Sequence, residues 1–200
     1  MANSLTNLFD IFVTVEYGYK KGQDREYKKR YLSYAFAYAF IWSLCVSAFD
    51  KYHEDLSFQC RGMFEQIIYP SNDFVQNFYF DAGEIGFKHW SERLPEFMYQ
   101  KEMGFHEIIV DTIDTVRYSS VINLLSQNVK PILITGPSGT GKSIQLSRVN
   151  KTPLVLTSTT SHYQLQLSIE SKLEKIRKNM LGAPAGSVCI VAIDDTNMPA

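Results

Sequence analysis

Pro131-Ile132-Leu133-Ile134-Thr135-Gly136-Pro137-Ser138-Gly139-Thr140-Gly141-Lys142-Ser143 decides how the rest of the chain is read. Its first five residues form a short β-prone run, its last eight fit G-x-x-x-x-G-K-[ST], and Lys142 onward can open a helix. Strand, glycine-rich loop and helix in that order are the context this pattern needs to bind phosphate. In the loop Gly136, Pro137, Ser138, Gly139, Thr140, Gly141, Lys142, Ser143, the glycines let consecutive backbone N–H groups turn inward around phosphate oxygens. Lys142 adds a point charge at the outer phosphates, and the Ser143 hydroxyl can hold magnesium. The N-terminus of the following helix adds a partial positive charge. The bland alternative is a glycine turn that happens to precede Lys-Ser, and it leaves the strand-loop-helix order without a purpose. The expected ligand is a nucleoside triphosphate with magnesium; the loop itself does not choose the base.

Downstream, Pro153 to Thr159 reads as a second strand, Gln164 to Met180 as a charged helix with Leu165, Ile169, Leu173 and Ile176 inward, and Val188 to Ile193 as a third strand. Strands alternating with helices imply a parallel sheet with helices on both faces, an α/β fold of the P-loop NTPase kind. Ile190-Val191-Ala192-Ile193-Asp194-Asp195 is an apolar strand ending in two carboxylates, the form of a Walker B segment. Asp194 is the expected magnesium ligand, directly or through water. Asp195 stands where a general base would orient the attacking water, and an aspartate there is one methylene shorter than glutamate. Slow hydrolysis with intact binding is the expectation. The alternative for the pair alone is an acidic turn closing a buried strand.

Upstream, Leu5, Leu8, Phe9, Ile11 and Phe12 suggest a helix, and Lys20 to Arg30 a solvated connection. Tyr31 to Phe49 carries no charge and approaches the length of a membrane span. Ser33, Ser43 and Ser47 dilute it, and Ala and Tyr replace much of the usual Leu and Ile, so a helix buried in protein on most sides is preferred. From Asp50 to Ile68 the spacing predicts a helix with Leu56, Met63, Phe64 and Ile67 on one face. Tyr69-Pro70-Ser71-Asn72-Asp73 is a turn, and Phe74 to Phe80 with Gly83 and Gly86 suggests a short hairpin. Trp90, Leu94, Pro95 and Phe97 read as an irregular passage covering another module; Ile108 to Val110 and Thr115 to Leu125 as an extended piece and an amphipathic helix. The resulting organisation is a helical region over 1–70, a linker with a strand or hairpin over 71–106, and a nucleotide-binding region over 107–200.

Twenty Lys and Arg balance twenty-one Asp and Glu, a net charge of -1, so no long-range field favours nucleic acid or an anionic membrane, and neither partner is expected. Cys45, Cys60 and Cys189 are odd in number and widely spaced, and no basic-then-apolar leader opens the chain; a reducing, cytoplasmic compartment is expected. His53, His89, His106 and His162 lack the short spacings of a zinc site.

At this point the residues resemble the dynein heavy chains, ring-shaped AAA+ motors of microtubules. Asp111 to Tyr118 resembles the entry to the third AAA+ module, Gly136 to Ser143 its phosphate loop, Ser171 to Lys178 its charged helix, and Asp194 to Pro199 its acidic strand end, the last in axonemal style. Phe36 to Phe49, with Ile41-Trp42-Ser43, resembles the helical lid of the preceding module, and Phe78 to Asp81 the strand linking the two. The resemblance implies ATP with Mg2+ at a site regulating a neighbouring motor site. It implies other AAA+ modules, intermediate and light chains and microtubules as partners, and the cytoskeleton of a ciliary or flagellar axoneme as the location.

The chain also departs from the family. Only a short helix, Ile144 to Val149, fits between Ser143 and the next strand, which is expected to loosen the phosphate grip. The family's sensor, arginine finger and lid would follow Ala200, so the reading is of a truncated AAA+ module behind a lid-like helical region, with its own hydrolysis left open. Two alternatives stand beside it: a non-catalytic interaction module with a degenerate loop, and an unrelated P-loop NTPase.

Overall fold

A computed structural model of the chain describes residues 2–14, 23–99, 104, 108–149, 154–184, 186 and 188–198. These fall into two compact units, Met1–Lys130 and Pro131–Ala200.

In the first unit, α1 (Ala2–Phe12) buries Leu8, Ile11 and Phe12. The next helix, α2 (Arg25–Phe40), starts at Asp24, whose carboxylate accepts from the Arg25 amide at 2.6 Å, and runs into one π-helical turn, Ile41–Cys45. Residues 25–30, expected in a solvated connection, are therefore the opening turns of α2, while 15–22 lie outside the described residues. The uncharged run is buried as expected: Tyr31, Tyr34, Ala35, Ala37, Tyr38, Ala39, Ile41 and Cys45 are all inside. No helix among the described residues is long and apolar enough to cross a membrane. Alanines let neighbours approach closely, and the tyrosines add large rings whose buried hydroxyls need partners. Tyr31 Oη donates to the Phe12 carbonyl at 2.8 Å, and Tyr34 Oη accepts from the Ile68 amide at 3.0 Å.

Helix α3 (His53–Met63) buries Ser57 and Cys60, and of the face expected, Leu56, Phe64 and Ile67 pack on the core while Met63 does not. The helix stops at Phe64, whose backbone leaves the helical region (φ −114, ψ 52), so Ile67 reaches the core from a turn; Met63 is 57% exposed. The hairpin expected around Gly83 and Gly86 is present as β1 (Phe78–Asp81) and β2 (Gly86–His89), antiparallel with Phe78 opposite His89 and Phe80 opposite Phe87. Asp81 accepts from the Gly83 amide at 2.9 Å and pairs with Lys88 at 2.9 Å, closing the turn. Trp90 is buried within this unit, 5.0 Å from the Tyr79 ring and 6.2 Å from Trp42, while Leu94 and Phe97 are exposed.

Helix α4 (Ile113–Gln127) opens with a reciprocal Thr112–Thr115 cap and adds Val116 and Val121 to the same core. It ends with the Lys130 amide on Leu125 O at 2.9 Å and the Val129 amide on Ser126 O at 3.1 Å, a Schellman stop. The left-handed position of that motif usually holds glycine; here it is Val129 at φ 55, a conformation that costs a β-branched residue about 1–2 kcal/mol. Because α4 and the hairpin share one core with α1 and α2, the compact units divide after Lys130.

The second unit contains α5 (Lys142–Val149), β3 (Leu154–Val155), α6 (His162–Glu170), β4 (Glu174–Arg177), β5 (Met180–Gly182) and β6 (Ile193–Asp194). β3 and β6 pair in parallel, Leu154 with Ile193 and Val155 with Asp194, the connection between them running through α6. The expected parallel sheet is thus a two-stranded one. Residues 131–135 join no strand, and Leu133 is 84% exposed. The helix expected over 164–180 is corrected most. α6 ends at Glu170, and the chain then forms an exposed antiparallel ribbon, β4 with β5, in which Arg177 faces Met180 across Lys178 and Asn179. Ile176, expected inward, is 54% exposed.

Trp90→Ala is expected to cost about 3–5 kcal/mol by removing a fully buried ring, whereas Phe58→Ala, at a side chain 81% exposed, should stay within about 0.5 kcal/mol of the parent. Urea denaturation of both variants checks the contrast.

Candidate nucleotide site

Glycines of the loop take backbone conformations that other residues rarely adopt. Gly139 (φ 81) and Gly141 (φ 79) lie in the left-handed region, where side chains are rarely accommodated. The Gly141 carbonyl accepts from the Gln145 amide at 3.1 Å and so begins α5. The amides of the first turn have no partner inside a helix, and with the helix dipole they suit an anion. Two side chains fold back on the loop: Lys142 Nζ donates to the Pro137 carbonyl at 2.6 Å, and Thr140 Oγ1 donates to it at 3.0 Å. The lysine head therefore lies over the loop, and the Ser143 side chain is exposed in the first turn of α5. A glycine-shaped cradle, an amide-bearing helix start, an overlying ammonium and an exposed hydroxyl are a donor set that fits a polyphosphate with a hard cation.

The acidic half lies at the end of β6. Asp194 is half-buried in the strand; its carbonyl accepts from the Leu156 amide at 3.2 Å, and its carboxylate accepts from the Asp195 amide at 3.0 Å. Asp195 is exposed, adopts φ 54, and accepts from the Met198 amide at 3.0 Å, so the chain turns sharply just past the strand. Among the described residues no hydrogen bond or ion pair joins the loop of residues 136–143 to Asp194 or Asp195. No group of three or more His, Cys, Asp or Glu placed to hold a metal occurs among them either. An open concavity beside β3 and α6, lined by Leu154, Leu156, Thr157, Thr160, Gln164 and Ser168, includes none of the expected site residues. Two features escaped the sequence reading. The Pro137 carbonyl acts as acceptor for both Lys142 and Thr140, which no side-chain pattern reveals, and Gln145 is buried on α5 although its type is usually exposed.

Comparison with known proteins divides the chain between two family models: a dynein heavy chain AAA lid domain matches residues 1–92, and a P-loop containing dynein motor region matches residues 97–200. Dynein axonemal heavy chain 2 of Mus musculus is 30% identical over 207 residues, covering 98% of this chain and 5% of that protein. Dynein axonemal heavy chain 6 of Homo sapiens is 30% identical over 181 residues, covering 84% and 4%, and dynein axonemal heavy chain 12 of Homo sapiens is 38% identical over 123 residues, covering 56% and 4%. The chain therefore spans no more than 5% of the length of these relatives.

Gly139→Ala and Gly141→Ala should each destabilise the loop by about 1–2 kcal/mol, since both force a Cβ into left-handed backbone. Gly62→Ala, in α3 with open space around it, should instead stabilise by roughly 0.5–1 kcal/mol. Chemical denaturation reads the opposite signs.

Proposed function

The chain belongs to the dynein heavy chain family, and from that premise we propose that it is an ATP-binding AAA+ segment contributing to microtubule-based motor activity in cilia or flagella. The observation that supports this best is the loop of residues 136–143, with Gly139 and Gly141 left-handed and Lys142 folded over it at the start of α5, inside the stretch matched by the P-loop motor region. In this reading the loop is a Walker A element: its amides and the N-terminus of α5 bind phosphate oxygens, and Lys142 exchanges the Pro137 carbonyl for the outer phosphates. Ser143 and Asp194 hold Mg2+, which when bound neutralises charge on the phosphoryl oxygens. The segment works with other AAA+ modules, and with intermediate chains, light chains and microtubules, in the cytoplasm of an axoneme. Residues 1–70 serve as the lid of one module, 71–106 as the link, and 107–200 as the nucleotide-binding half of the next.

Asp195 is the proposed, weaker element. Its place after β6 suits a Walker B acid that orients water, and its short side chain limits reach. Binding rests on the loop and Asp194, so it survives changes at Asp195.

Lys142→Ala is expected to raise the Kd for labelled ATP roughly ten- to a hundredfold, the loss of one charge-assisted bond, while leaving the melting temperature without nucleotide close to the parent's. In the parent, ATP at a hundred times Kd should add about 2.7 kcal/mol of stability. Unchanged binding in the variant would overturn the assignment. Asp195→Glu should increase turnover with the same Kd, and a steady-state ATPase assay showing no gain removes Asp195 from the water-orienting role.

A further inference from the structure

Two buried thiols have no part in the nucleotide reading. Cys45 closes the π-helical turn that follows α2, and Cys60 lies on the inner face of α3. Their side chains are 1% and 2% exposed, and their Sγ atoms are 3.4 Å apart in a thiol–thiol hydrogen bond. Neither is in a disulfide. They come from different helical elements, 15 positions apart in sequence, so nothing local forces them together. A π-turn holds more residues than an α-turn and rotates the side chains that follow it, a distortion that recurs at functional positions. Here the distorted turn is the one that presents Cys45 to Cys60.

We propose that Cys45 and Cys60 are a disulfide-forming pair, oxidised by a peroxide small enough to enter the core, and that the bond cross-links the π-turn to α3. A disulfide needs sulfurs about 2.05 Å apart, so the pair closes by little more than an ångström. The first step is attack of the Cys45 thiolate on one peroxide oxygen. The S–O bond forms as the O–O bond breaks, leaving a sulfenic acid, and the departing hydroxide takes a proton to become water. The Cys60 sulfur then attacks the Cys45 sulfur; the S–S bond forms, the S–O bond breaks, and hydroxide leaves with the Cys60 proton as a second water. Two thiols have lost two electrons and the peroxide has gained them. Cys45 is assigned the first attack because the hydrogen bond from Cys60 holds its thiol below the ordinary range, against the effect of burial, whereas Cys60 is pushed up. A bulky disulfide oxidant is kept out by the same burial.

The test uses the 200-residue chain carrying Cys189→Ser, which removes the half-exposed third thiol. Stoichiometric hydrogen peroxide, followed by denaturation and alkylation, should give a protein lighter by two hydrogens with no label on Cys45 or Cys60. A peptide map should show the two joined, and dithiothreitol should restore both labels. The oxidised chain should melt several degrees higher, since the bond restrains the unfolded chain. Cys60→Ser in the same background should accumulate a sulfenic acid at Cys45 that a dimedone probe traps. Full labelling of both thiols after peroxide, or oxidation confined to methionines, overturns the proposal; these readouts in the parent stand even if Cys60→Ser fails to fold. The inference is independent of nucleotide binding, so neither result bears on the other.

Discussion

Phe80 is the contact on which the first unit depends. Its ring lies 5.4 Å from Phe12 of α1 and 5.3 Å and 6.3 Å from Tyr31 and Tyr34 of α2, so one residue of the hairpin joins both helices. Edge-on and offset rings at such distances are favourable beyond the area they bury. Much else follows from covering this ring. β1 buries Phe78, Tyr79 and Phe80 in succession, so both faces of the strand are enclosed, and Tyr31 and Tyr34 of α2 turn inward with their hydroxyls on main-chain partners at Phe12 and Ile68. Trp90, held between Tyr79 and Trp42, seals the far end of the hairpin.

The second unit has no comparable centre. Leu156, Ala192 and Gln145 are its buried residues among those described, and β3 and β6 are two residues each. Its organisation rests on backbone geometry more than on packing: left-handed glycines, the first hydrogen bond of α5, the reciprocal cap of Ser161 and Gln164 on α6, and a short parallel ladder. The proposed phosphate site is compatible with this, because such a loop requires a set of correctly aimed N–H groups. The Lys142 ammonium on the Pro137 carbonyl shows the same economy, satisfying a charge with the nearest main-chain acceptor.

What could be read from sequence follows the same division. The burial of α2, the hairpin at Gly83 and Gly86, and the helix after Lys142 were legible because composition, turn chemistry and motif all point one way. The ribbon after α6 was not. Leu165, Ile169, Leu173 and Ile176 are spaced for a helix, and nothing in that spacing marks the stop at Glu170. Met63 illustrates a second limit: it is the last residue of α3 and stays exposed although its spacing from Leu56 suits the inner face. Of the candidate site, the left-handed backbone at Gly139 and Gly141 and the helix from Lys142 were legible, whereas the strand expected over 131–135 does not form. The relation of Asp194 and Asp195 to the loop was not legible, since two short strands and their turn decide where those carboxylates point.

The β4–β5 ribbon has a consequence for how the molecule behaves at high concentration. Ile176, Met180 and Leu181 are exposed on a two-stranded ribbon whose edges are open, which is the kind of surface that pairs with a copy of itself. Glu174, Lys175, Arg177 and Lys178 stand among them, and charges on an edge are the usual safeguard against such pairing. A chain with a net charge of only -1 has little overall repulsion to add. Resistance of the ribbon to such pairing therefore rests on a few local side chains, and it weakens as salt screens them.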